Sequence, residues 1–304
     1  MIHHPRRFAP LLAALLAVGA CSRHAEAPVA AVHTAEGAPR IALAPDGVHI
    51  DYRVFGQGEP LVVLIHGWSC DANYWRAQID ELKSSFTVVA VNLAGHGASG
   101  RNRNQWTIQA FGADVAAVLA ALPEGKVVLV GHSMGGPVAL EAARLMPDRV
   151  IGVVGVDAFH DIGTPASEAD RQFADALLAR LGADYIGTTR EYVTKQLFPA
   201  NADPALVRRV ADDMALAPPE VAIPSIRALF GYDYGPALTT LRVPIIDIET
   251  DLHGSVDPGQ ARRVAPTFSV EVMPGLGHFP MMEDPAGFNA RLRKAILGFR
   301  QGQP

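Results

Sequence analysis

The sequence predicts an α/β architecture, a mostly parallel sheet covered by helices on both faces and interrupted by an all-helical insertion. Three observations lead there. Short apolar, β-branched runs alternate with helical segments through the first half of the chain and again near its end, a spacing that implies a buried parallel sheet. Between residues 158 and 240 the rhythm stops, and helical segments follow one another without a convincing strand. One of the apolar runs ends in a glycine-flanked turn that carries a serine and opens a helix.

The chain of 304 residues, 49% of them hydrophobic, supplies one large core or a domain with an insertion. A net charge of −5 without a basic run gives no footprint for nucleic acid. Residues 1–20 read as a secretory signal: Arg6 and Arg7, an apolar stretch from Phe8 to Val18, then small residues up to Ala20. Val18-Gly19-Ala20-Cys21 is similar to a bacterial lipoprotein cleavage site, which implies lipidation of Cys21 and a cell-envelope address, periplasmic in a Gram-negative host. Residues 21–40, rich in Ala, Pro and His, read as a flexible tether. With Cys21 lipidated, Cys70 has no partner and reads as a small filler near the site.

The folded chain then runs in order. Val48 to Phe55 alternates like an antiparallel strand, and Leu61 to Ile65 is apolar throughout, as a strand buried on both faces must be. A helical segment over 73–82 leads to a strand at Phe86–Val91, and a helix from Thr107 to Leu122 leads to the strand Lys126–Val130. There follow Gly131-His132-Ser133-Met134-Gly135 and a helix through Leu145, then a strand at Val150–Val156 with Asp157 at its end. Helices near 166–182, 189–197, 203–216 and 219–230 fill the insertion. Strands at Val243–Ile248 and Phe268–Met273 and a helix from Pro285 to Phe299 close the chain.

The serine turn has a mechanical reason. It forces unusual backbone angles on Ser133, and side chains at Gly131 or Gly135 would collide. The hydroxyl is lifted clear of the sheet, and the helix behind it offers free N–H groups to a developing oxyanion.

His66-Gly67 after a strand, Gly95-His96-Gly97 with Ser99, the serine turn and Gly277-His278-Phe279 near the C-terminus stand in this order. On these motifs, residues 41–304 resemble the α/β-hydrolase superfamily. The resemblance implies an eight-stranded sheet built from 41–157 and 241–304, with 158–240 as a helical cap after the sixth strand. It implies Ser133 as nucleophile, His278 as base, and an oxyanion hole from the N–H groups of Trp68 and Met134. The acid departs from the family pattern: where an Asp usually follows the seventh strand, His253 stands. Two acids remain open, Asp157 after the sixth strand and Asp251, with Asp157 placed narrowly first.

The implied chemistry is cleavage of a small or medium, largely apolar ester or lactone through an acyl-serine, with no metal or cofactor called for. The same residues also suit a C–C bond hydrolase or a cofactor-free haloperoxidase or perhydrolase. A ligand-sensing receptor without turnover is a third reading. The expected partners are a small-molecule substrate and, through Cys21, a membrane.

Overall fold

The computed structural model describes residues 1–2 and 35–302. The expected leader, Cys21 and the tether up to residue 34 lie outside the described residues. The folded unit begins at Ala35. Its strands are β1 (Arg40–Leu43), β2 (His49–Phe55), β3 (Leu61–Ile65), β4 (Thr87–Val91), β5 (Val127–His132), β6 (Val150–Val156), β7 (Ile245–Thr250) and β8 (Phe268–Met273). They form one sheet in the order β1-β2-β4-β3-β5-β6-β7-β8, with β2 antiparallel to both β1 and β4 and the other pairings parallel.

The helices of the sheet region are α1 (Arg76–Leu82, entered through a 3₁₀ turn at Ala72–Trp75), α2 (Ile108–Ala121) and α3 (Gly135–Leu145). Between β6 and β7 lie α4 (Glu168–Ala183), α5 (Tyr185–Gln196), α6 (Pro204–Ala215), α7 (Pro219–Phe230) and α8 (Gly235–Thr240); α9 (Pro258–Val264), α10 (Pro280–Glu283) and α11 (Pro285–Arg300) follow. No described helix is long and apolar enough to cross a membrane.

Register separates the two helical layers. Gly131 on β5 pairs with Gly155 on β6 and faces α3, where a Cβ on Gly131 would lie 2.0 Å from the Gly135 carbonyl oxygen. Gly152, an odd number of residues from Gly155, faces the opposite side, where its Cβ would strike the ring of Phe299 on α11. Both faces of β3 and β5 are sealed, which is why their sequences are apolar at every position instead of alternating.

Three details differ from the sequence reading. The sheet begins at Arg40 rather than after it, because Gly37 already donates to Val54 and ties the chain to β2. This edge strand is four residues long and exposes Ile41 and Leu43, so it carries little apolar pattern. Helix α5 starts at Tyr185, not 189, because the Asp184 side chain accepts the Gly187 N–H and caps it there. Helices α8, α9 and α10 have at most seven residues, too few for a helical period to show.

Candidate active site

The chain leaves β3 for β4 on one side and returns to β5 on the other, so strand order reverses at β3. The crevice at such a reversal is where parallel sheets bind ligands. Ile65 pairs with Gly131, which sets the loop after β3 (His66-Gly67-Trp68) beside the loop after β5 (His132-Ser133-Met134). The approach is close: a Cβ on Gly67 would lie 2.8 Å from Nδ1 of His132 and 3.1 Å from Cβ of Ser133.

Ser133 and Asp157 stand at the ends of adjacent strands, and both have left-handed backbones, with φ of 52° and 50°. Such angles are uncommon outside glycine and cluster at functional sites. The strand ends hold them: Ser133 donates its N–H to Val156 O at 3.0 Å, and Asp157 donates its own to Ile248 O at 3.0 Å. Helix α3 starts at Gly135, with Met134 as its cap, so its first N–H groups face the serine. No hydrogen bond engages the backbone N–H of Trp68 or Met134 among the described residues.

His278 arrives from the loop after β8. Its Nδ1 donates to Asp157 Oδ2 at 2.5 Å. In the neutral ring that bond leaves the lone pair on Nε2. The other oxygen, Oδ1, accepts from Thr250 N at 2.9 Å and Thr250 Oγ1 at 3.2 Å, and His160 Nε2 lies 3.2 Å away. Burial alone pushes the Asp157 carboxyl up, but the neighbouring His160 and His278 rings prevail and hold it well below the usual carboxylate range. Asp251, the alternative acid, is exposed and accepts the Gly275 N–H at 2.7 Å. The structure therefore brings His278 to Asp157 and leaves Asp251 bracing the loop after β8.

The histidine loop is fastened on three sides. His278 N–H donates to Leu197 O at 2.8 Å, and its carbonyl accepts His132 Nε2 at 2.8 Å. Burial pushes His132 down to about 3, so it is a neutral donor at all ordinary pH. Glu283 accepts from both flanking amides, Gly277 N at 2.9 Å and Phe279 N at 3.2 Å. Thr250, His160, His132 and Glu283 were not picked out as site residues from the sequence. Only the spacing of Glu283 after Gly277-His278-Phe279 carried a local signal, a carboxylate four residues past the loop amide it accepts.

The loop after β3 is bound to the inserted helices by two side chains. Trp68 Nε1 donates to Ala222 O on α7 at 2.7 Å. Ser69 Oγ donates to Tyr185 OH at 3.1 Å, which in turn donates to Met214 O. Cys70 is a buried free thiol that donates to Trp68 O at 3.3 Å.

Ser133 and His278 open into one cavity of about 40 Å³, whose apolar wall includes Trp68, Leu197, Met214, Ile226, Leu229 and Phe230. The Ser133–His278 hydrogen bond is not formed, a contact that often tightens only with substrate. Met214 and Phe230 line the cavity, while Phe159 packs on Gly155 and Gly136 and Phe198 stacks on Phe279. A groove of about 930 Å³ lies beyond the loop after β3, shares Cys70 with the cavity and touches neither Ser133 nor His278.

Sheet order, the glycine-flanked serine and the paired histidine and carboxylate define a class, and comparison with known proteins agrees. The model of the alpha/beta hydrolase family matches residues 62–291. The chain belongs to the α/β-hydrolase family, and it is a hydrolase. It is 28% identical over 254 residues to a pimeloyl-acyl-carrier protein methyl ester esterase of Edwardsiella ictaluri, covering 78% of this chain and 93% of that one. It is 26% identical to a 2-(acetamidomethylene)succinate hydrolase of Mesorhizobium japonicum, over 76% of this chain and 86% of that one. Among solved structures, a thermophilic esterase from Thermogutta terrifontis superposes with a TM-score of 0.74 at 25% identity, over 86% of this chain and 99% of that one.

Proposed function

We propose that the protein hydrolyses a small or medium, largely apolar carboxylic ester or lactone through an acyl-serine. The observation that carries the reading is the 2.5 Å bond from His278 Nδ1 to Asp157, with His278 and Ser133 on one apolar cavity. Ser133 Oγ attacks the substrate carbonyl carbon while His278 Nε2 takes its proton. Asp157 keeps the tautomer and stabilises the imidazolium that forms. The tetrahedral oxyanion is received by the free N–H groups of Trp68 and Met134. Collapse breaks the ester C–O bond, and His278 returns the proton to the leaving alcohol. Water, deprotonated by His278, then attacks the acyl-serine and releases the acid.

The similarity to esterases is consistent with ester cleavage. The cavity of about 40 Å³ holds about one to three waters, which favours a short acyl group unless the inserted helices shift. On this reading 158–240 acts as a cap that supplies much of the pocket wall. The sequence of residues 1–21 supports export and anchoring through a lipidated Cys21, which mass spectrometry of the membrane fraction tests.

A panel of p-nitrophenyl esters and lactones tests the function. The wild type turns over short-chain esters repeatedly, and Ser133→Ala loses at least about a thousandfold in kcat with its fold intact. Equal turnover by the two proteins contradicts the mechanism.

A further inference from the structure

We infer that His160 is a positioning residue for this reaction: its ring stands at ion-pair distance from Oδ1 of Asp157 and leaves Oδ2 to His278. The inference rests on the reading of Asp157 as the acid of the site. His160 follows Asp157 by three residues, and its ring spans two carboxylates from neighbouring strand ends. Nε2 lies 3.2 Å from Asp157 Oδ1, and Nδ1 lies 3.8 Å from Glu249 Oε2 on β7. The two oxygens of Asp157 are thus divided between two imidazoles.

The surroundings explain why a second imidazole is needed. Asp157 and Glu249 at adjacent strand ends and Asp247 within β7 are all buried, and like charges so placed resist ionising together. Asp247 Oδ2 accepts the Phe159 N–H at 3.0 Å, and burial pushes this carboxyl up to about 7. The charged or titratable groups facing His160 are Asp157, Asp161, Asp247, Glu249, His253 and His278. Burial works against a proton on His160, but Asp157, Asp247 and Glu249 overcome it and raise the ring to about 9. At neutral pH the cation on His160 offsets the charge of Asp157, which then aligns His278 without binding a proton itself.

Removing that cation makes His278 more basic, so the acidic limb of the rate profile moves to higher pH. The test is the pH dependence of kcat/KM for p-nitrophenyl acetate with wild type, His160→Gln and His160→Ala. Both variants should shift the acidic limb upward by about one pH unit, and Gln, which keeps a polar group beside Asp157, should retain more of the alkaline plateau than Ala. A uniform loss of rate with an unmoved limb marks a merely structural role and overturns the inference. A second measurement needs no functional variant of His160. Histidine NMR titration of the wild type should show one ring titrating near pH 9 that falls below pH 8 in Asp157→Asn. No histidine titrating above about pH 7 overturns the inference as well. If Asp157→Asn keeps wild-type kcat, the reading of Asp157 fails and the inference falls with it, whereas a normal Asp157 effect with an unmoved limb removes His160 alone.

Discussion

Asp157 and His278 meet at 2.5 Å although 121 positions separate them. The contact exists because β6 and β7 lie side by side and the loop after β8 folds back over their ends. Thr250, at the end of β7, spends both its backbone N–H and its hydroxyl on the same carboxylate. The strand after which the family pattern implies an acid here braces a carboxylate borne by its neighbour.

The choice between the two carboxylates follows. Asp157→Asn, whose side chain tolerates the left-handed backbone, should lower kcat by about 10⁴-fold, because the amide favours the wrong imidazole tautomer. Asp251→Asn should stay within about threefold. Steady-state kinetics on one ester with both variants checks this, and the reverse ranking contradicts it.

Glu283 should matter out of proportion to its distance from the chemistry. Glu283→Gln can accept only one of the two loop N–H groups that the carboxylate now accepts. An orphaned amide there costs about 1–3 kcal/mol and lets His278 wander. The expected result is a fall in kcat of about tenfold with KM little changed, together with a lower melting temperature.

Phe230 lines the cavity from the end of α7. Phe230→Ala should shift preference from acetate toward longer acyl esters by about tenfold in kcat/KM. A panel from acetate to octanoate measures it, and an unchanged chain-length profile shows that the acyl group lies elsewhere.

Much of this arrangement was legible in the sequence. The strands β3, β5 and β6 are apolar at nearly every position because both faces are sealed, and that pattern survives without knowledge of neighbours. Ser133 and His278 stand in glycine-bounded loops after strands, which local sequence displays. The pairing of His278 with Asp157 was not legible to the same degree. It depends on which of two strand ends the histidine loop covers, and that is fixed by long-range contacts such as His278 N–H to Leu197 O. His160 and Glu283 look like ordinary loop and helix residues until their carboxylate and amide partners are seen in space.

Stability should depend on pH from both sides of the Asp157–His160 pair. A carboxyl held below its ordinary value contributes stability that is present above about pH 4 and lost as acid reaches its folded range. A histidine raised to about 9 contributes stability that is fully present below about pH 6.5 and lost as pH rises through about 9. The melting temperature should fall by a few degrees between pH 6.5 and 9.5. His160→Gln should flatten that part of the curve, which differential scanning calorimetry resolves.

The central claim is that Ser133 is an activated nucleophile served by His278 and Asp157. The most direct measurement is reaction of the folded protein with a fluorophosphonate probe, with the adduct located by mass spectrometry. A single adduct on Ser133, lost on heat denaturation and slowed by orders of magnitude in Asp157→Asn, is the predicted result. No adduct, an adduct on another residue, or equal labelling of the Asp157→Asn variant would contradict it.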